Sequence, residues 1–153
     1  MSLAAVFDCM VYLQALTSNG PAYRLLELVE DGSVELFLSP PILAEIRNVL
    51  SRPKIRNKNR NLNDERMNAF LNKLAAMATV LTDVHAHVQF PRDPKDEPYL
   101  NLALTVGAPY LVSRDPDLLD LMADVAFRSA YLNLTILDPV EFLKLPELTK
   151  LEE

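Results

Sequence analysis

Apolar positions along the chain gather into short uninterrupted runs, separated by longer stretches in which they recur at helical spacing. LAAVF at 3–7, VELFL at 34–38, YLVS at 110–113 and LTIL at 134–137 are almost wholly apolar, the pattern of strands covered on both faces. A weaker strand is predicted over 78–81. Helical patterns fill 9–16, 21–30, 41–50, 64–78, 97–106 and 116–122. Strands and helices thus alternate, and parallel strands need crossover helices, so the pattern predicts a three-layer α/β fold with a central, mostly parallel sheet of four to five strands.

Boundary residues agree with these elements. Asp31-Gly32 stops the second helix, Pro40-Pro41 follows the second strand and opens a helix, and Gly107 ends the helix before YLVS. With three glycines in the chain there is no glycine-rich phosphate loop. A single domain is expected over 1–145, with 146–153 as a frayed C-terminal tail.

Composition narrows the chemistry. Half of the 153 residues are hydrophobic and 24% charged, a globular balance. One cysteine, Cys9, cannot close an internal disulfide, and with two histidines it cannot build a structural zinc site. Asp8 interrupts the apolar start and no basic residue precedes it, so the chain reads as lacking a leader, and a cytoplasmic location is expected. No apolar run approaches the length of about 18 residues that a membrane span requires. The net charge of −6 argues against nucleic-acid binding, but residues 47–60 hold Arg47, Arg52, Lys54, Arg56, Lys58 and Arg60 with no acid among them.

The acids supply the chemistry. Asp8 follows the first strand directly, in an otherwise apolar run. Glu45 lies one turn into the helix after the second strand. PRDPKDEPYL brings Asp93, Asp96 and Glu97 to the start of another helix, and SRDPDLL places Asp115 and Asp117 just after YLVS. In a parallel sheet these strand ends share one edge, so acids distant in sequence should converge. Crowded carboxylates repel, and a hard cation removes that repulsion. Oxygen donors without histidine or cysteine favour Mg²⁺ or Mn²⁺.

Each residue also has a plainer role. Asp93, Asp96, Asp115 and Asp117 stand near helix starts, where carboxylates cap free amides. Glu45 adjoins the apolar face made by Ile42, Leu43, Ile46 and Val49, and would otherwise be an exposed helix residue. The basic stretch can be a solvated loop; Arg92 and Arg114 border the acidic motifs, as surface arginines often do. Cys9 reads as a buried spectator thiol, His85 and His87 as surface residues in an extended piece, and Leu71, Leu74, Ala75 and Ala78 as a core stripe.

With these acids placed, the chain resembles the PIN-domain family of metal-dependent ribonucleases, which includes many toxins of bacterial toxin–antitoxin pairs. The resemblance rests on VFDCMVYLQAL, LSPPILAEIRNVLSRP, RDPKDEPYLNLALTVGAPYLVSRDPDLL and LTILDPVEFL, whose order and spacing span nearly the whole chain. It implies a PIN-like fold in which Asp8, Glu45, Asp96 and Asp115 hold one or two Mg²⁺ or Mn²⁺ ions and cleave RNA. Glu97 is the close alternative to Asp96, and Asp117 a further ligand. Arg47, Arg52, Lys54, Arg56, Lys58 and Arg114 would meet RNA phosphates, and a cognate antitoxin and a homodimer are implied as partners. One departure is Met10, where many relatives carry an asparagine; a thioether cannot bond water or phosphate as an amide does.

Rival families fit less well. A haloacid-dehalogenase-type phosphatase needs a second aspartate where Met10 stands, and a receiver domain needs a lysine after a late strand, where Asp138-Pro139 follows LTIL. A PIN fold without catalysis, serving as an RNA-binding or protein-interaction module, is the alternative from a different class.

Overall fold

Strands that read as unbroken apolar runs should lie where both faces are covered, and Ala5, Val6 and Phe7 are fully buried at the centre of the molecule. The computed structural model describes residues 2–89 and 93–151. Its elements are β1 (Leu3–Phe7), α1 (Cys9–Thr17), α2 (Pro21–Glu30), β2 (Val34–Leu38), α3 (Pro40–Ser51), α4 (Pro53–Lys58), α5 (Asp64–Met77) and β3 (Thr79–Val80). A 3₁₀ turn at Pro94–Asp96 leads into α6 (Glu97–Val106), then β4 (Tyr110–Val112) and α7 (Pro116–Leu119). A second 3₁₀ turn at Asp120–Ala123 is followed by α8 (Val125–Ala130), β5 (Thr135–Leu137), α9 (Pro139–Leu143) and α10 (Pro146–Leu151).

The five strands form one parallel sheet in the order β3-β2-β1-β4-β5. Leu3 aligns with Val34 on one side of β1, and Phe7 aligns with Val112 on the other. The order reverses at β1, with β2 built outward one way and β4 the other. The carboxyl ends of β1 and β4 therefore flank the crevice where open α/β sheets bind ligands. The Asp8 amide continues the ladder there, donating to the Val112 carbonyl at 3.0 Å. Helices supply the two outer layers, with Leu25, Ile42, Ile46, Leu50, Leu74 and Leu100 fully buried against the sheet. At the end of α6, Gly107 takes the left-handed conformation (φ 68°), which lets the Ala108 amide reach the Ala103 carbonyl at 2.9 Å.

Several elements depart from expectation. The basic stretch is not an unstructured loop: Pro53 opens α4, and Arg56 ties it down by donating to the Leu50 carbonyl at 2.9 Å and pairing with Asp64 at 2.7 Å. Within the expected tail, Pro146–Leu151 forms α10, and Leu148 is buried in the core. His85 and His87 are exposed, in keeping with their reading as surface residues, and the His87 and Val88 amides bond Asn101 Oδ1 on α6 at 2.9 and 2.8 Å. Among the described residues no helix is long and apolar enough to cross a membrane.

Candidate metal centre

Four backbone positions set the site. Asp8 leaves β1 and caps α1, with its carboxylate accepting from the Val11 amide at 3.2 Å and from the Ser113 hydroxyl. Ser113 Oγ in turn accepts the Asp115 amide at 2.9 Å, so one hydroxyl joins the ends of β1 and β4. Asp115 caps α7, accepting the Asp117 amide at 2.9 Å. Asp93 closes the 3₁₀ turn by accepting the Lys95 amide at 3.1 Å, and that turn delivers Asp96 to the head of α6.

These loops bring Asp93, Asp96 and Asp115 together, with one oxygen of each within 4.8 Å of the others. Capping and convergence are therefore not rival explanations for Asp93 and Asp115, since each both accepts a backbone amide and belongs to the cluster. Asp96 is 8% exposed, and its Oδ2 is buried with no hydrogen-bond partner among the described residues. A buried carboxylate oxygen beside two more carboxylates, with no protein donor among the described residues, suits a cation. The donors are all carboxylate oxygens, which suits Mg²⁺ or Mn²⁺.

Electrostatics tell the same story. Burial pushes the Asp96 carboxyl up to about 8, helped by hydrogen bonding to Asp115 and by the charges of Asp115, Asp93 and Asp8. Burial also raises Asp8 to about 6, with the Asp115 charge adding to it and the bonds from Ser113 and Val11 opposing. Without a cation, this edge of the sheet prefers to hold protons.

The remaining expected residues divide. Glu45 is half-buried on α3, outside the three-carboxylate group, but near enough that its charge acts on Cys9 and Tyr99. Glu97 and Asp117 are half-buried and also outside that group. Asp93, which the sequence places among the converging acids but not in the ligand set, is a member of the group; the Asp93-Pro94-Lys95-Asp96 spacing, one tight turn, is its signal. Burial and the charges of Glu45 and Asp8 push the Cys9 thiol up to about 12, the state of an inert spectator. Met10 is 45% exposed.

Among the bases, Arg47 donates to Asn68 Oδ1 at 2.8 Å and Arg52 to Asn48 Oδ1 at 3.2 Å. With Arg56 bound as described, these arginines have work within the fold. Lys54 and Lys58 are exposed on α4. Arg114, also exposed, lines a cleft of about 280 Å³ with Gln14, Ser18 and Pro139. Arg92 lies outside the described residues.

Comparison with known proteins agrees with this architecture. A family model described as PIN domain matches residues 4–117. Uncharacterized protein MJ1680 of Methanocaldococcus jannaschii is 27% identical over 148 residues, covering 94% of this chain and 92% of its own. A chain from the crystal structure of VapBC2 from Rickettsia felis, bound to a DNA fragment from its promoter, superposes with a TM-score of 0.57 at 13% identity. That match covers 89% of this chain and 98% of the other, and shows the shared fold. With the family model spanning well over half of its length and the five-stranded parallel sheet in place, the chain belongs to the PIN-domain family.

Proposed function

We propose that this protein is a Mg²⁺- or Mn²⁺-dependent endoribonuclease and the toxin half of a toxin–antitoxin pair. The observations that carry the reading are the convergence of Asp93, Asp96 and Asp115 and a buried Asp96 oxygen with no hydrogen-bond partner among the described residues. PIN domains are generally nucleases, and the fold is shared with a chain of the VapBC2 complex. A cognate antitoxin, a homodimer and a cytoplasmic location go with that assignment.

Asp8, Glu45, Asp96 and Asp115 are the residues to hold the ion, with Asp93 beside them and Glu97 and Asp117 in support. A bound divalent ion supplies Lewis-acid stabilisation of charge on the phosphodiester and lowers the pKa of an attacking water. The chain's own contribution is positioning. Ser113 and the Val11 amide fix both oxygens of Asp8, and the Asp117 amide fixes one oxygen of Asp115. Arg114 sits between these two acids in sequence and is exposed at the same edge, suited to a backbone phosphate. Lys54 and Lys58 extend positive charge along α4, followed by Arg60.

The test is cleavage of single-stranded RNA by purified protein in Mn²⁺, with EDTA and with Asp96→Asn as controls. Cleavage that disappears in both controls supports the proposal. Binding of RNA with no Mn²⁺-dependent cleavage would favour a non-catalytic PIN module.

A further inference from the structure

The carboxyl edge of the sheet carries a second feature beside the acids. A cleft of about 280 Å³ opens there, bounded by the residues that follow β4 and β5, the end of α1 and the start of α2. Arg114 stands in the chain between Asp115 and Ser113, whose hydroxyl bonds Asp8. The Ser113 amide donates to the Leu137 carbonyl at 2.9 Å, which keeps the chain leaving β5 at Asp138 alongside. The cleft thus begins one residue from the acids and lies on their β5 side.

Its lining divides by chemistry. Pro21, Pro139 and Val140 supply apolar surface, and Val140 is 45% exposed. Gln14, Arg114 and Asp138 supply polar groups. Asp138 caps α9, accepting the Glu141 amide at 2.8 Å. Arg47, Arg52 and Arg56 bond within the fold, whereas the side chains of Arg114 and Gln14 make no hydrogen bond or ion pair among the described residues. Both are open to a ligand.

A nucleotide matches this lining. A base has apolar faces and a polar edge, a guanidinium complements a phosphate, and a carboxamide carries both a donor and an acceptor for a base edge. The volume is near the low end of the roughly 300–1,000 Å³ usual for ligand sites, room for one nucleotide and too little for a duplex. Bases splay out to be read in this way from single strands. We propose that the cleft is a subsite for the nucleotide beside the scissile phosphate of single-stranded RNA, with Arg114 on its phosphate and Gln14 reading the edge of its base. The proposal rests on the nuclease reading of the acids and adds a base preference to it.

The experiment maps the cut that wild-type protein makes in a single-stranded RNA in Mn²⁺. It then compares kcat/KM for oligonucleotides that lack the base at each position flanking the cut. Removing the base at one flanking position is expected to lower the wild-type value by about 5- to 150-fold, and that of Gln14→Leu by less than about twofold. Val140→Trp, a change at an exposed position, narrows the cleft and is expected to slow the intact substrate more than the abasic one. Arg114→Gln should raise KM for every substrate and reduce the slope of log affinity against log salt by about 1, with the base dependence kept. Wild-type cleavage indifferent to every flanking base overturns the subsite alone. Full base dependence in Gln14→Leu, or equal slowing of both substrates by Val140→Trp, does the same. Wild-type protein that cleaves no RNA is a separate result, which overturns the nuclease reading and the subsite with it.

Discussion

Replacing Asp8 by Asn should make the metal-free protein gain stability relative to wild type as pH rises, although Asp8 is one of the most buried polar groups in it. Asp8 is 4% exposed and its carboxyl is raised from 3.8 to about 6, chiefly by burial. A shift of about two units means that ionising Asp8 in the folded state costs about 3 kcal/mol at neutral pH. The folded state holds the proton more tightly than the unfolded state, so this contribution to stability is complete below about pH 4 and lost as pH rises through about 6. Asparagine keeps an oxygen for the Val11 amide and turns an N–H toward Ser113 Oγ, so the fold survives. The value of about 6 already includes the bonds that Ser113 and Val11 make to the charged form, so the pH-dependent part of the difference is the relief of ionisation. Urea unfolding in EDTA should show the stability of Asp8→Asn relative to wild type rising by about 2 kcal/mol between pH 4.5 and pH 8. Saturating Mn²⁺ should reverse the ranking, because only the wild type gains binding energy from the ion. A difference that stays flat with pH would refute the assignment of burial as the dominant effect on Asp8.

Other predictions separate neighbours. Asp96→Ala should remove most RNA cleavage, at least about 100-fold, while Glu97→Ala should change it by less than about tenfold, since ligand geometry must hold within about 0.5 Å; single-turnover rates in Mn²⁺ decide the ranking. Lys54→Gln with Lys58→Gln should weaken RNA binding and flatten its dependence on log salt, with melting temperature unchanged. Arg56→Gln should instead lower stability by ~1–3 kcal/mol in urea titration, because it strips the Leu50 carbonyl of its donor and Asp64 of its partner. Leu148→Ala should cost about 2–3 kcal/mol by the same assay, a loss that a frayed tail could not produce.

The strands were legible because each buried run is short, apolar and bounded by turn residues, and parallel strands sharing one edge account for Asp96 and Asp115 meeting, with Asp93 as the third member of the group and Asp8 outside it. What sequence pattern missed was set by tertiary contact. α4 has six residues and is held by Arg56 reaching back to Leu50 and across to Asp64, an arrangement with no periodic signature. α10 persists because Leu148 finds the core, and no local propensity announces that docking. The inclusion of Asp93 depended on a 3₁₀ turn, whose tighter geometry turns one more carboxylate toward the cluster than helical spacing suggests.

The central claim is that the acids at the β1–β4 crevice hold a divalent cation. Anomalous scattering from crystals soaked in Mn²⁺ tests it most directly. A manganese peak about 2.0–2.2 Å from carboxylate oxygens of Asp8, Asp96 and Asp115, with Glu45 turned toward it, is the predicted result. Saturating Mn²⁺ that leaves this crevice without a peak, while Asp96 Oδ2 is found bonded to a protein donor, would contradict it.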